Sequence, residues 1–275
     1  MIQNLFRVSL FAEEGHGGLE APNLISLIHQ HAGNSPWIQV MTRYENIFFS
    51  VLAATILSVV FIAGSRVLTL VPGRFQNFVE TVVETLEDFF TNILGSHGRT
   101  FVPFIGTLFL YIFCMNMMGL VPFLKASTTD LNTTLGLAIC VFCVVQFTAL
   151  TKLGPKKYLD HLAGQPRDTI MFILAPFLFF LFLILDVIVP PITLSLRLFG
   201  NVTGGDTLLA AFQDMAMSNL IHPSGFFSLL GGAMAFGTVI IISMLLVLLD
   251  TIQALVFSLL STIYILMVLP HEEHA

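Results

Sequence analysis

Four ionisable residues stand inside long apolar stretches of this sequence, where a charge is costly. They are Asp186, Arg197, Asp206 and Asp250. A charged side chain at the centre of a membrane-spanning helix costs about 2.5–3.5 kcal/mol on insertion scales, and such residues face a cavity or a partner by default. They therefore indicate a functional site within the membrane. For Arg197, the structural alternative is a side chain that reaches the membrane surface or pairs within its own chain.

Arg197 lies on a polar line along its predicted helix. At 100° per residue, Asp186 shares the face of Arg197 to within about 20°, although Pro190-Pro191 stands between the two. Thr193 and Asn201 lie one turn to either side of Arg197 on the same face. An arginine stays protonated, whereas a desolvated lysine can lose its charge, so this line has a permanent cation.

A second polar line follows in the last apolar segment. Asp250 and Gln253 are one turn apart, and Tyr264 lies eleven residues beyond Gln253 on the same face. Asp206 falls on the opposite side of its own helix unless the two glycines before it redirect the chain. Carboxylates, amides and hydroxyls in a row are what a proton needs to cross lipid. A purely structural hydrogen-bond seam is the alternative.

The composition indicates what surrounds these residues. Of 275 residues, 56% are hydrophobic and only 10% are charged, against about 25% charged in soluble domains. Lipid is therefore the expected solvent for most of the chain. The net charge of −6 argues against nucleic acid as a partner.

Neither the cysteines nor the histidines predict a metal site or a bound cofactor. The cysteines lie in apolar runs and are expected to be packing thiols: Cys114, Cys140 and Cys143. Three N-terminal histidines have irregular spacing and are expected in a solvated tail rather than around a metal: His16, His29 and His31. The sequence also has no G-x-x-x-x-G-K-[ST] loop for ATP.

The predicted fold is an all-α integral membrane protein with about five membrane helices and one surface helix. A helix needs about 20 apolar residues to cross the hydrocarbon, and the candidates are 46–64, 101–121, 132–151, 169–213 and 226–269. The fourth is expected to bend or break at Pro190-Pro191. The fifth has no proline and predicts one long, strongly tilted helix, with a hairpin that lacks turn residues as the alternative.

The segment 73–95 has a different pattern. Its apolar residues recur at i, i+3, i+4 and i+7, and four acids fall elsewhere on the wheel: Glu80, Glu84, Glu87 and Asp88. This pattern predicts an amphipathic helix rather than a span. Isolated surface helices are usually rich in Lys and Arg, so this acidic helix is expected at the membrane face within an assembly.

The loops differ in positive charge. Seven lysines and arginines fall in the loops 65–100 and 152–168, against three in the N-terminal tail and the other loops. The positive-inside rule puts the first set in the cytoplasm. With five crossings, the N-terminal tail (1–45) is then outside and the C-terminal tail (270–275) is cytoplasmic, on either side of a membrane domain at 46–269.

Several motifs resemble one protein family. The segment Ser195 to Asn201, which reads SLRLFGN, is similar to the arginine motif of subunit a of rotary F-type ATP synthases. Gln253 to Phe257 and Ile263 to Ile265 resemble that family's last helix, and 116–122 with 130–135 resemble its middle hairpin. The resemblance covers about residues 46–269, with the motifs in the family's order.

This resemblance implies a fold with one span, a surface helix, a hairpin and two tilted helices against a rotating ring of c subunits. The implied partners are that ring, the peripheral-stalk b subunits, the rest of the ATP synthase and membrane lipid. Arg197 would face the ring carboxylates, drive their deprotonation and prevent leakage between two offset half-channels. The implied location is a bacterial inner membrane, and the subunit would have no catalytic site of its own.

The family's half-channels imply roles for the other polar residues. The outer path would use Asn116, Asn132, Asn201, Asp206 and Gln253, and the inner path would be reached near Asp186, Thr193 and Tyr264. Three positions depart from the family. Leu183 and Leu246 stand where many members have acids or histidine, and Gly119 stands where some have aspartate. Asp186 is expected to substitute at the first position, and Asp250 or Asp206 at the second.

Two other classes of membrane protein fit the sequence less well than a proton-conducting subunit. A secondary transporter usually shows inverted repeats and paired broken helices, which are not apparent in this sequence. An intramembrane hydrolase would need paired catalytic groups, and Asp214 and His222, both expected in a loop, make no convincing pair. A proton-conducting subunit is therefore the function that the sequence favours.

Overall fold

The computed structural model describes residues 25, 36–65, 73–121, 123–152, 154, 177, 179–221 and 225–268. These residues form helices and no β-strand, which confirms the predicted all-α class. The helices are α1 (Pro36–Arg43), α2 (Glu45–Ser65), α3 (Arg74–Gly98), α4 (Val102–Gly119), α5 (Leu131–Lys152), α6 (Phe179–Ile221) and α7 (Phe226–Val268). The predictions for the three N-terminal histidines, His222 and the C-terminal tail lie outside the described residues.

Five helices are long and apolar enough to cross a membrane: α2, α4 with the 3-10 turn before it, α5, α6 and α7. Helices α6 and α7 have 43 residues each. At 1.5 Å per residue each is about 65 Å long, about twice the thickness of the hydrocarbon. The chain is an integral membrane protein, as its composition predicts.

Helix α6 passes through Pro190-Pro191 without breaking. A proline lacks an N–H group and its ring collides with the carbonyl four residues earlier, so the sequence predicts a bend or a break. Instead, the turn Leu183–Ile188 is π-helical, and α-helical geometry resumes at Val189. A π turn bonds i to i+5, so the ideal α-helical spacing that aligned Asp186 with Arg197 does not apply here. Asp214, expected in a loop, lies in the same helix.

Helix α7 is continuous, so the fifth apolar segment is one helix and the hairpin alternative is wrong. Gly231-Gly232 lies near its start and does not interrupt it. A Cβ atom on Gly232 would lie 2.9 Å from Leu220 Cγ and 3.1 Å from the Leu220 backbone nitrogen. The glycine is therefore needed where the end of α6 approaches the start of α7.

The chain divides into two compact units. Unit 1 contains the described residues within 1–57, 111–130 and 199–253, and unit 2 contains those within 58–110, 131–198 and 254–275. The core of unit 1 includes Leu209, Ile242 and Leu246. The core of unit 2 includes Phe90, Leu94, Val102, Ile105 and Ile265.

Helix α3 covers the segment for which the sequence predicts an amphipathic helix. It loses helical geometry at Gly95, where φ is 68°, a value that glycine adopts without steric cost. Only the end of its apolar face is buried in the core of unit 2, through Phe90 and Leu94. Phe75 and Phe78 are exposed, so the first part of that face is not covered by the described chain.

Candidate functional site

The ten residues that the sequence singles out divide equally between the two units. Unit 1 contains Asn116, Asn201, Asp206, Asp250 and Gln253. Unit 2 contains Asn132, Asp186, Thr193, Arg197 and Tyr264. The two groups differ in burial and in hydrogen bonding.

In unit 1, two amides join helices α6 and α7. Asn201 Nδ2 donates a hydrogen bond to Gln253 Oε1 at 2.8 Å, and Gln253 is only 4% exposed. Gln253 Nε2 has no hydrogen-bond partner among the described residues. Leaving a buried donor unsatisfied costs about 1–3 kcal/mol, so this nitrogen marks a place where water or another polar group is expected.

Asn116 of helix α4 makes a second polar contact with α7. Asn116 is 1% exposed, and its Nδ2 donates to the Asp250 backbone carbonyl at 3.5 Å. Its Oδ1 accepts a hydrogen bond from the Thr128 hydroxyl at 2.8 Å. Asp250, itself 6% exposed, is one turn from Gln253. We call these five residues (Asn116, Thr128, Asn201, Asp250 and Gln253) the α7 polar cluster.

Thr128 is the member of this cluster that sequence reasoning missed. It is fully buried and lies in the 3-10 turn Ser127–Thr129. A hydroxyl in the run STTD indicates ordinary turn chemistry, and its spacing gives no sign of a contact with Asn116. The only available signal was the resemblance of the neighbouring segment 130–135 to the family's hairpin.

The loop that carries Thr128, residues 124–130, is attached to the start of helix α2. Asn46 Nδ2 donates to Asp130 Oδ2 at 2.9 Å. The Ser127 hydroxyl donates to the Asn46 backbone carbonyl. Both contacts join positions more than eighty residues apart in the sequence, so they hold the loop in a position that local turn geometry alone does not define.

The positions of Asp206 and Leu246 help to decide which acid belongs to this cluster. Helix α6 runs through Gly204-Gly205 without interruption, so Asp206 stays about 140° around the helix from Asn201. The predicted possibility that the glycines redirect it is therefore wrong. Leu246 is buried in the core of unit 1, and a Cβ atom on Gly205 would lie 2.4 Å from Leu246 Cδ2. The position of the family's missing acid or histidine is thus filled by tight apolar packing.

The polar residues of unit 2 are more open. Arg197 is exposed, and within the described part of the chain it forms neither an ion pair nor a hydrogen bond. The Thr193 hydroxyl donates to the backbone carbonyls of Val189 and Pro190, both at 3.0 Å. The half-buried Tyr264 lies close to Thr193 and to the charge of Arg197. These three side chains therefore lie near one another.

For two of the predicted residues in unit 2, Asn132 and Asp186, the structure gives only the position in the fold. Asn132 is exposed in the first turn of α5. The side chain of Asp186 lies outside what the structure describes, although its backbone belongs to the π turn. Among the described residues, no group of three or more His, Cys, Asp or Glu is arranged to hold a metal ion.

Comparisons with known proteins agree with the motifs. A family model described as ATP synthase A chain matches residues 47–266. A protein of Protochlamydia amoebophila named ATP synthase subunit a is 41% identical over 262 residues, which cover 92% of this chain and 90% of that protein. Proteins of the same name from Hydrogenobaculum sp. and Gluconacetobacter diazotrophicus are 32% and 34% identical, over 85% and 81% of this chain and 100% and 87% of their own lengths. This chain therefore belongs to the ATP synthase A chain family.

Proposed function

We propose that this chain is the proton-translocating stator subunit of a rotary F-type ATP synthase. Its relatives bear the name of subunit a of ATP synthase. Arg197 supports this role most directly. It is a permanent cation in a long apolar helix, and its side chain is exposed. Because an open charge in a membrane helix needs a polar partner, that partner is expected in another subunit.

The proposed partner of Arg197 is the carboxylate that each c subunit of the rotating ring presents in turn. Arginine is effectively always protonated, so it stabilises the ionised carboxylate and makes the ring release its proton there. The same charge prevents leakage, since a proton passing directly between the two half-channels would have to approach a fixed cation.

The α7 polar cluster is the proposed centre of the outer half-channel. Asp250 is a better candidate than Asp206 for the carboxylate of this half-channel, because Asp250 is buried beside Asn116. Leu246, at the position where many family members have an acid or histidine, belongs to an apolar core. Gln253 brings a buried donor without a partner among the described residues, which suits a water-filled path. Asp206 and Asn132 are proposed to line the remainder of this path.

The inner half-channel is proposed to begin near Tyr264 and Thr193 and to include Asp186. Thr193 and Tyr264 lie close to Arg197 within unit 2, so a proton released from the ring would meet hydroxyl groups first. Asp186 replaces the acid that many family members have at the position of Leu183.

The remaining features of the proposal concern the assembly. ATP chemistry belongs to other subunits of the complex, and this chain contributes no catalytic group. Helices α6 and α7, longer than a span needs, lie tilted against the c ring, while α3 lies at the membrane face near the peripheral-stalk b subunits. The charge bias of the loops puts the N-terminus outside and the C-terminus in the cytoplasm of a bacterial inner membrane.

Replacing the arginine tests the function. In inverted membrane vesicles that contain the whole complex, Arg197→Ala is expected to abolish ATP-driven proton pumping and proton-driven ATP synthesis, because the ring carboxylate loses its fixed counter-charge. The complex is still expected to assemble, as shown by co-purification of the c ring and the b subunits. Acidification of the vesicle interior and ATP yield are the measurements.

A matched control is Arg99→Ala. Arg99 is exposed and pairs with Glu87 at 2.7 Å, and an exposed pair of this kind contributes little to stability. The complex with Arg99→Ala is expected to pump at the rate of the unaltered complex. Normal coupling in an assembled Arg197→Ala complex would contradict the proposed function.

A further inference from the structure

Thr128 differs from the other buried hydroxyl residues of the described chain in what it bonds to. Most of them donate to a backbone carbonyl three or four residues earlier, which satisfies the hydroxyl within its own turn: Thr134, Thr148, Ser195, Ser258, Ser261 and Thr262. The buried hydroxyl next to it, in Ser127, also donates to a backbone carbonyl. Thr128 alone among these residues donates to a side chain, that of Asn116.

The Asp250 carbonyl determines which way the Asn116 amide points, and the Thr128 hydroxyl holds the opposite end of that amide. The atom of Asn116 that faces the Asp250 carbonyl, at 3.5 Å, has to be the nitrogen, because a carbonyl oxygen only accepts. The amide oxygen then faces Thr128, whose hydroxyl donates to it at 2.8 Å. An amide nitrogen has two N–H groups, so the second remains a donor in the α7 polar cluster. Without the Thr128 hydroxyl, one of the two contacts that hold the amide in this position is lost.

The loop 124–130 holds the hydroxyl in place from the other side. Besides the bonds from Asn46 and Ser127, Lys125 Nζ lies 3.9 Å from Glu45 Oε1, and their side chains are only 17% and 12% exposed. Gly119 adds a close contact, since a Cβ atom there would lie 2.8 Å from Ala126 Cβ. Contacts other than the Thr128–Asn116 hydrogen bond therefore hold the loop in place at several positions.

We propose that Thr128 is a positioning residue of the proton path, whose hydroxyl holds the Asn116 amide with its N–H groups directed at the Asp250 turn. This inference rests on the proposed function and adds to it the residue that orients the amide. Thr128 does not itself transfer the proton. It acts through Asn116, and the contacts of loop 124–130 with α2 give it a fixed position.

Three variants of the assembled complex test this role. Thr128→Val keeps the size and β-branching but removes the hydroxyl, and it is expected to slow ATP-driven pumping by about three- to tenfold, the effect of one lost hydrogen bond on a rate. Thr128→Ser keeps the hydroxyl and is expected to restore at least about half of the original rate. Thr148→Val removes an equally buried hydroxyl that bonds to its own helix and is expected to pump normally.

A double-variant cycle separates positioning from simple structural support. In an Asn116→Ala background the Thr128→Val change is expected to have no further effect on pumping, since the group that it positions is gone. Additive losses in the double variant, or a Thr128→Val complex that assembles and pumps like the original, would overturn the inference. Co-purification of the c ring with each variant verifies that assembly is intact.

The same preparations distinguish this failure from a failure of the proposed function. If Arg197→Ala abolishes pumping while Thr128→Val leaves it unchanged, only the role of Thr128 is wrong. If Arg197→Ala pumps normally, the proposed function is wrong whatever Thr128 does.

Discussion

The polar groups of the two units are built in opposite ways. In unit 1, four members of the α7 polar cluster are almost entirely buried, namely Asn116, Thr128, Asp250 and Gln253. Two side-chain hydrogen bonds run through the cluster, from Thr128 to Asn116 and from the exposed Asn201 to Gln253. In unit 2, Arg197 and Thr193 are exposed, and Thr193 bonds to the backbone of its own helix. Among the described residues, the amides of the first group have partners within the chain, whereas Arg197 of the second group has neither a hydrogen bond nor an ion pair.

The two groups are therefore expected to respond differently to substitution. Buried side chains that share hydrogen bonds are coupled, so removing one leaves its partner unsatisfied and the losses are not additive. Arg197 is exposed and its proposed partner is the ring carboxylate, so its loss is expected to remove one function and to disturb little of the surrounding structure.

The largest effect after that of Arg197 is expected from the acid of the coupled cluster. Asp250→Asn keeps the shape but removes a titratable group, and a positioned proton-transfer group contributes about 100-fold or more to a rate. Asp206→Asn is expected to lower the pumping rate less, because Asp206 lies on another side of α6 from Asn201. Initial rates of vesicle acidification for the two variants provide the comparison.

Both outcomes that would contradict this ranking are readily observed. A larger loss in Asp206→Asn would move the carboxylate of the outer path to α6. Normal pumping in both variants would show that neither acid serves the path. In each case co-purification of the c ring excludes a defect of assembly.

A smaller effect, and a direct test of coupling, comes from the pair Asn201 and Gln253. Asn201→Leu and Gln253→Leu are each expected to slow pumping by about tenfold. The first change leaves the buried Gln253 amide without its 2.8 Å hydrogen bond, and the second removes the buried amide itself. The double variant is expected to be no slower than the slower single variant.

The matched control pair is Asn219 and Ser228, whose side chains also join α6 to α7 in unit 1, at 3.3 Å. Ser228 lies about 37 Å along α7 from Gln253 at 1.5 Å per residue. Asn219→Ala and Ser228→Ala are expected to leave pumping unchanged. If the losses for Asn201 and Gln253 simply multiplied, the two amides would be acting independently, and the description of unit 1 as a coupled cluster would be wrong.

The sequence predicts the helices well because their causes are local. Long apolar runs produce α2, α4, α5 and α7, and their one proline, Pro103, lies in the first turn of α4, where a proline is tolerated. Length alone distinguishes α7 from an ordinary span. The prolines of α6 are the exception. In lipid, broken backbone hydrogen bonds have no water to replace them, so the chain keeps its helix through a widened π turn before Pro190-Pro191 and does not break.

The candidate site was predictable only where residue type and helical spacing define it. Arg197, Asp250 and Gln253 are recognisable in the sequence as polar residues within apolar helices. The faces of the helices on which they lie follow from the period of 3.6 residues. The contacts of Thr128 and Asn46 depend on how a loop folds back onto distant helices, and a threonine or asparagine between two spans is ordinary in a turn. Long-range packing, which the spacing does not reveal, decides their roles.

The smallest effects are expected from the two hydroxyl groups near Arg197 in unit 2. Thr193→Val and Tyr264→Phe each remove one hydroxyl, and each is expected to slow pumping by no more than about two- to threefold, because an exposed polar group can exchange its lost partner for water. Ser195→Ala is the matched control, since the buried Ser195 hydroxyl bonds only to the Ile192 carbonyl of its own helix at 3.0 Å. Acidification rates measured beside Thr128→Val compare the two units under the same conditions. A tenfold loss of pumping rate in Tyr264→Phe would mean that this hydroxyl matters as much as the buried amides of unit 1. The polar groups of the two units would then differ in exposure but not in how strongly the pumping rate depends on them.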